Sequence, residues 1–106
     1  MTRVRIADQF SMYPMGRTDE DGPDNGERFF IEYLDGPIKA GRTTVIVFDD
    51  VRAFGSSFLD QVFHVIPTRK GIRRQDFKNL VEVQANRSAY QFYKKMAEDF
   101  SRRIPA

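Results

Sequence analysis

The chain has no cysteine or tryptophan, and its 106 residues include one histidine. Without cysteine, neither a disulfide framework nor a thiolate-ligated metal site can form, and this absence fits a cytoplasmic protein. No apolar run approaches the roughly 20 residues of a membrane-spanning helix. The first residues also lack the apolar segment of a signal peptide. We therefore expect a cytoplasmic protein that does not enter a membrane.

Motifs that would indicate catalysis are also absent. Neither the P-loop nor the GxGxxG pattern of phosphate-binding loops occurs. His64 has no second histidine for a metal site and no serine and acid spaced as in a catalytic triad. In the acidic stretch 19–24, Gly22 is the fourth residue from the first aspartate, whereas an EF-hand loop needs glycine at the sixth position. The sequence predicts a protein that is not an enzyme and holds no metal or cofactor.

The residues that are present indicate one folded domain over residues 1–106. Apolar residues make up 41% of the chain and charged residues 30%, which is typical of a protein with a single hydrophobic core. The charge is unevenly spread. Residues 1–68 have 7 basic and 11 acidic side chains, whereas residues 69–106 have 10 basic and 4 acidic ones. The basic half could contact nucleic acid or an acidic partner.

Hydrophobic periodicity predicts three strands that alternate with three helices. The predicted strands are residues 4–6, 43–48 and 80–83, and the predicted helices begin at Asp24, at Ser56 or Ser57, and at Asn86 or Ser88. Residues 43–48 are all apolar or β-branched, as in a central strand that is covered on both faces. The order β-α-β-α-β-α predicts an α/β fold with a small, mostly parallel sheet, right-handed crossovers and helices packed against it.

Proline, glycine and polar residues predict where the regular elements end. Pro37 should kink or end the first helix, and Pro67 should end the second, because proline has no amide hydrogen and its ring clashes with the preceding turn. Residues 8–25 are predicted to form a long loop, and loops of that length are often functional. Residues 75–80 should add one helical turn. Residues 101–106 are predicted to form a flexible tail.

Two serines, Ser56 and Ser57, lie at the predicted start of the second helix. Free backbone amides and the positive end of the helix dipole meet at a helix N-terminus. A hydroxyl group there can cap the helix, contact a partner or accept a phosphate. Asp49 and Asp50 end the preceding strand, where an aspartate either caps backbone amides or contributes to a ligand site.

Two groups of residues carry a resemblance to a known family. They are Gly16-Arg17, Asp21-Gly22-Pro23, Gly26-Glu27 and Phe29 before the first helix, and Gly55-Ser-Ser-Phe-Leu-Asp60 with Phe63 in the second. Over nearly the whole chain, the sequence resembles a family of small STAS-like domains, which are grouped with the STAS domains of anti-sigma factor antagonists and sulfate transporter tails. The resemblance implies a STAS-like α/β fold and a regulatory, protein-binding role.

The resemblance also implies a site. In bacterial anti-sigma factor antagonists, a serine at the start of the equivalent helix is phosphorylated by a kinase of the histidine-kinase-like ATPase class. Ser56 occupies that position and Ser57 follows it, so the implied protein partner is such an ATPase or a sensor protein. This partner would dock on the start of the helix and the adjoining loops. The candidate contacts are Arg17, Asp50, Arg52, Gly55 and Asp60, with Arg52 and Asp60 expected to be exposed.

Two other functions stay open from the residues alone. The basic C-terminal half could bind nucleic acid, although no helix-turn-helix or RNP-type pattern accompanies it. Alternatively, the chain could be a small-ligand-binding domain whose pocket lies beside Asp49, Asp50 and Ser56. The nucleic-acid surface would lie in the C-terminal half of the chain, whereas the ligand pocket would share Asp50 and Ser56 with the docking surface.

Overall fold

The computed structural model describes all 106 residues and contains one parallel sheet of three strands. The strands are β1 (Thr2–Arg5), β2 (Thr44–Val47) and β3 (Val81–Gln84), and β2 lies between the other two. All four residues of β2 are buried, as a strand that is covered on both faces requires. The predicted α/β fold with a small parallel sheet is confirmed.

Five helices pack around the sheet. They are α1 (Ile6–Gln9), α2 (residues 26–39), α3 (residues 56–69), α4 (Arg74–Leu80) and α5 (Gln91–Ser101). Short 3-10 turns at Asp19–Asp21 and Ser88–Tyr90 precede α2 and α5. The order is therefore β-α-α-β-α-α-β-α. It adds α1 to the predicted order, and α4 is a longer helix than the single turn expected over residues 75–80.

Helices α2 and α3 both continue through a proline. The helix end predicted at Pro67 is wrong, and of the two outcomes predicted at Pro37 the helix end does not occur. Each helix contains one π-helical turn, Phe30–Leu34 in α2 and Gln61–Val65 in α3. The amide that follows each turn donates to the carbonyl five residues earlier instead of four. Pro37 and Pro67 lie shortly after these turns. The wider turn relieves the clash between the proline ring and the carbonyl of the preceding turn, and the helix can therefore go on.

Phenylalanine rings make up most of the core. The largest fully buried side chains are those of Phe29, Phe30, Phe48, Phe58, Phe63 and Phe77. The ring centroids of Phe29 and Phe58 lie 5.7 Å apart and join α2 to α3. The rings of Phe48 and Phe63 lie 6.1 Å apart and join the end of β2 to α3. Such aromatic pairs stabilise the fold beyond the area that they bury.

The C-terminal residues 101–106 pack onto the domain and do not form the predicted tail. Ile104 is completely buried in the core. The amide of Arg74 donates to the carbonyl of Pro105 at 3.0 Å, and its side chain donates to the carbonyl of Ile104 at 2.8 Å. None of the helices combines the length and the apolar character that a bilayer crossing requires.

Candidate functional site

Helix α3 begins with three backbone amides that have no acceptor within the chain. Gly55 is the N-cap and has an extended backbone, with no side chain to accept a hydrogen bond. The first internal bond of the helix runs from the amide of Leu59 to the carbonyl of Gly55, at 3.2 Å. This leaves the amides of Ser56, Ser57 and Phe58 open. Ser56 is exposed and Ser57 is half-buried, and neither hydroxyl caps the helix, because the cap position falls one residue earlier.

Helix α2 begins in the opposite way, with its first amides all paired. The amides of Gly26 and Glu27 each donate to a carbonyl of the preceding loop at 3.0 Å. The amide of Arg28 donates to the side chain of Asn25 at 2.8 Å. Asn25 is therefore the N-cap in place of the predicted Asp24, whose carboxylate pairs with the Arg28 guanidinium. Of these two helices, only α3 presents open amides, and open amides at a helix N-terminus attract anionic and other acceptor groups.

The loop of residues 10–25 runs along the segment that leads into α3. The carbonyl of Met12 accepts a hydrogen bond from the amide of Arg52 at 2.9 Å, and the carbonyl of Pro14 accepts one from the amide of Gly55, also at 2.9 Å. These two contacts hold the loop beside the helix start. The loop and the first turn of α3 therefore form one continuous surface.

Three large apolar side chains on this loop are exposed. Met12, Tyr13 and Met15 are 40%, 53% and 42% exposed, respectively. A depression of about 370 Å³ lies between the loop and the helix and is lined by Met15, Gly16, Arg17, Asp21, Gly55, Ser56 and Ser57. Exposed apolar groups that cluster beside polar ones are typical of protein contact surfaces. The three side chains are not among the predicted contacts, because they follow no periodic pattern; the only sequence signal was the length of the loop.

Arg17 reaches across this surface to α3. Its guanidinium pairs with the carboxylate of Asp60 at 2.9 Å, and the other Asp60 oxygen lies 2.8 Å from Nδ1 of His64. Burial acts to raise the pKa of Asp60, but hydrogen bonds from His64 and Arg17 outweigh it, and the pKa lies below its ordinary value. The Asp60 side chain is only 15% exposed. The expectation that Asp60 is exposed is wrong, since two partners within the chain occupy it, and its role as a partner contact stays a prediction.

We expect Arg17→Ala to raise the pKa of Asp60 toward its ordinary value, because one of the two groups that stabilise the ionised carboxylate is lost. The free energy of unfolding should fall by about 1 kcal/mol or less, since the Arg17 side chain is 43% exposed. An NMR titration of the Asp60 carboxyl carbon measures the shift. Arg52→Ala is the matched control, because Arg52 is exposed and forms no ion pair with Asp60. An unchanged Asp60 pKa in Arg17→Ala would contradict this expectation.

The two aspartates after β2 are both engaged within the chain. Asp49 is buried and accepts hydrogen bonds from the amides of Asn86 and Arg87, each at 3.0 Å. Burial acts to raise the pKa of Asp49, but these hydrogen bonds outweigh it and leave the pKa below its ordinary value. Asp50 forms ion pairs with Arg5 at 2.8 Å and Arg87 at 2.6 Å. The expected ligand pocket beside these carboxylates therefore lacks free acidic groups, and a partner could use Asp50 only by displacing an arginine.

The structure thus brings some of the predicted site residues together and leaves others apart. Arg17, Gly55, Ser56 and Ser57 line one depression. Arg52 is exposed and lies against the same loop. No group of three or more histidine and acidic side chains is arranged to hold a metal ion. The arrangement can bind an acceptor group or a protein surface at the open amides of α3.

Comparison with protein families gives one match. The family model described as a STAS-like domain of unknown function (DUF4325) matches residues 25–86, which is more than half of the chain. The matched range runs from the N-cap of α2 to just beyond β3 and includes both serines. Searches of curated proteins and of solved structures gave no match.

Proposed function

Since the chain belongs to the family of STAS-like domains of unknown function, we propose that it is a non-enzymatic regulatory domain that acts in the cytoplasm. It binds a protein partner through the first turn of α3 and the loop beside it. The observation that carries this proposal is the set of three open amides next to the exposed hydroxyl of Ser56. A partner can satisfy these groups without displacing any contact within the domain.

The loop supplies the apolar part of the proposed docking surface. Interfaces between proteins combine a desolvated apolar centre with polar groups around it. Met15 is exposed and lines the depression at Ser56 and Ser57, and Met12 and Tyr13 are exposed on the same loop. Arg52, in the segment that leads into α3, is also exposed and adds a positive charge. These groups together fit the docking of a protein better than the binding of a small polar ligand.

We propose Ser56 as the phosphate acceptor, with Ser57 as its substitute. The Ser56 hydroxyl is exposed and has no hydrogen-bond partner within the chain. A phosphate adds close to two negative charges and is stabilised by helix N-terminal amides and by arginine. Arg17 lines the same depression, so a phosphate on Ser56 would compete with Asp60 for its guanidinium. This change in charge would weaken docking of the partner, for which the resemblance suggests an ATPase of the histidine-kinase-like class or a sensor protein.

Affinity capture from the native host, with phosphosite mapping of the recovered chain, tests this proposal. We expect phosphate on Ser56 or Ser57 in the recovered protein. A partner captured by the wild-type chain should also be captured by Ser56→Ala, but should bind Ser56→Asp at least about tenfold more weakly, because an unpaired charge at an interface is costly. Ser88→Asp is the matched control, since Ser88 is an exposed serine at the start of another helical turn. Its binding should equal that of the wild type.

Two results would overturn the proposal. One is equal capture of the same partner by Ser56→Asp and by Ser88→Asp, which would place the docking surface elsewhere. The other is full recovery of the Ser56 and Ser57 peptides without any phosphate under all growth conditions, which would remove the switch. Replacing Met12 and Tyr13 by serine tests the apolar part of the docking surface, because it should weaken capture of the partner while leaving Ser56 itself unchanged.

A further inference from the structure

A second and larger depression lies along the open edge of β3, between α4 and α5. It has a volume of about 710 Å³ and shares no lining residue with the depression at Ser56. The apolar residues that line it are Phe63, Phe77, Val81 and Val83. From here on it is called the β3 groove.

The main chain of Val83 points into the β3 groove. The amide of Phe48 donates to the carbonyl of Gln84 at 2.9 Å, which shows that the main-chain groups of Gln84 face β2. Successive residues of a strand direct their amide and carbonyl groups to opposite sides. The amide and the carbonyl of Val83 therefore face the open edge, and neither has a hydrogen-bond partner within the chain.

One further main-chain group on each side of Val83 is also unpaired. The amide of Val81 donates to the carbonyl of Phe77, and the carbonyl of Ala85 accepts a hydrogen bond from the side chain of Gln91. The carbonyl of Val81 and the amide of Ala85 stay unpaired. Four main-chain groups in a row are thus open to an added strand, and pairing of this kind gives an extended peptide most of its affinity.

The opposite edge of the sheet is less suited to an added strand. The amide of Arg5 in β1 donates to the side chain of Gln9 in α1 at 2.8 Å. Arg3 and Arg5 also place charged side chains on this short edge strand, which discourages the pairing of another strand. Of the two edges, β3 is therefore better suited to pairing with an extended segment.

The rim of the β3 groove carries more positive than negative charge. Its ionisable lining residues are Arg74, Lys78, Lys94, Arg102, Glu82 and Glu98. Arg102 pairs with Asp99 outside the groove, whereas Lys78 and Lys94 form no ion pair. Glu82 and Glu98 form none either, so the four cationic residues of the lining outnumber its two carboxylates. Two free ammonium groups beside an apolar floor complement a segment that alternates acidic and apolar side chains.

We propose that the β3 groove binds an acidic protein segment in an extended conformation, which pairs with β3 as a fourth strand. The main-chain groups of Val83 provide the pairing, the apolar floor takes every second side chain, and Lys78 and Lys94 attract the acidic ones. A nucleic acid would satisfy the two lysines but has no chain of amide and carbonyl groups to pair with Val83. The proposal is independent of Ser56, so its failure would leave the proposed function untouched.

The test uses the full chain and a labelled hexapeptide, acetylated and amidated, in which glutamate and valine alternate. We expect saturable binding by fluorescence anisotropy. A peptide with lysine in place of glutamate should bind at least about tenfold more weakly, because its charges repel the rim. A peptide N-methylated at every residue should lose a similar factor, because it lacks the amides that pair with the strand edge whichever direction it runs. Exchange of the Val83 amide hydrogen with solvent should slow at least about tenfold on binding.

Matched charge-reversal variants locate the binding site. Lys78→Glu combined with Lys94→Glu should weaken the peptide about tenfold, because both free lysines are removed. Arg69→Glu combined with Lys95→Glu makes the same change in net charge outside the groove and should leave binding unchanged. No saturable binding at millimolar peptide, or equal binding of the N-methylated peptide, would overturn the proposal. So would a single-stranded oligonucleotide that binds more tightly than the peptide and is lost in the groove variant, since that result identifies a nucleic-acid site.

Discussion

Replacing Phe58 with alanine is expected to lower the free energy of unfolding by about 3–5 kcal/mol. The Phe58 side chain is completely buried in the first turn of α3. Its ring centroid lies 5.9 Å from that of Phe10, 5.7 Å from that of Phe29 and 6.4 Å from that of Phe54. Alanine would leave a cavity where the loop, α2 and α3 meet. A domain of this size has only about 5–15 kcal/mol of total stability, so the loss would be a large part of it.

Urea denaturation followed by circular dichroism measures this effect. Phe92→Ala is the matched control, because the Phe92 side chain is 64% exposed and its loss should change stability by no more than about 0.5 kcal/mol. Phe58→Leu keeps much of the buried volume and should cost clearly less than Phe58→Ala. It also provides a measurable variant if the alanine protein does not fold. Similar losses for Phe58→Ala and Phe92→Ala would contradict the packing described above.

The second large effect is expected at Asp49, where alanine should lower the free energy of unfolding by about 3 kcal/mol at neutral pH. The carboxylate is buried and accepts the amides of Asn86 and Arg87 together with the side-chain amide of Asn86. Without it, these donors would lose their acceptor at the turn that leads from β3 toward α5. Hydrogen bonds to a charged group contribute about 1.5–3 kcal/mol, more than those between neutral groups.

This loss should depend on pH in a defined direction. The pKa of Asp49 is lower in the folded state than the ordinary value of 3.8, because the hydrogen bonds outweigh the effect of burial. Its stabilising contribution is therefore fully present above the pKa of the unfolded chain and is lost as the pH falls through the lower pKa of the folded state. The difference between wild type and Asp49→Ala should be largest near pH 7 and should shrink in strong acid.

Denaturation curves at a series of pH values measure both the size of this loss in the free energy of unfolding and the direction in which it changes with pH. Asp99→Ala is the control, because Asp99 is half-exposed and pairs only with surface cations, so its loss should cost about 1 kcal/mol or less. A difference between wild type and Asp49→Ala that stays constant from neutral pH into strong acid would show that ionisation of Asp49 does not stabilise the fold.

Part of the candidate site could be predicted from local pattern. The apolar residues of α3 recur at helical spacing, and Phe58, Leu59, Val62, Phe63 and Ile66 are all buried as that spacing predicts. The position of the two serines at the helix start follows from the same pattern. The exposed apolar groups of the loop could not be found in this way, because their neighbours are set by contacts with a segment about 40 residues further along the chain.

The α/β class, the buried central strand and the place of Ser56 can be predicted from the sequence, because each depends on the local order of apolar and polar residues. The passage of α2 and α3 through Pro37 and Pro67 and the burial of Ile104 in the core depend on tertiary packing. Tertiary packing also determines which charged side chains have a partner within the chain. Asp60 is paired by an arginine 43 residues away in the sequence. Contacts over such separations depend on how the elements pack, and no local pattern records them.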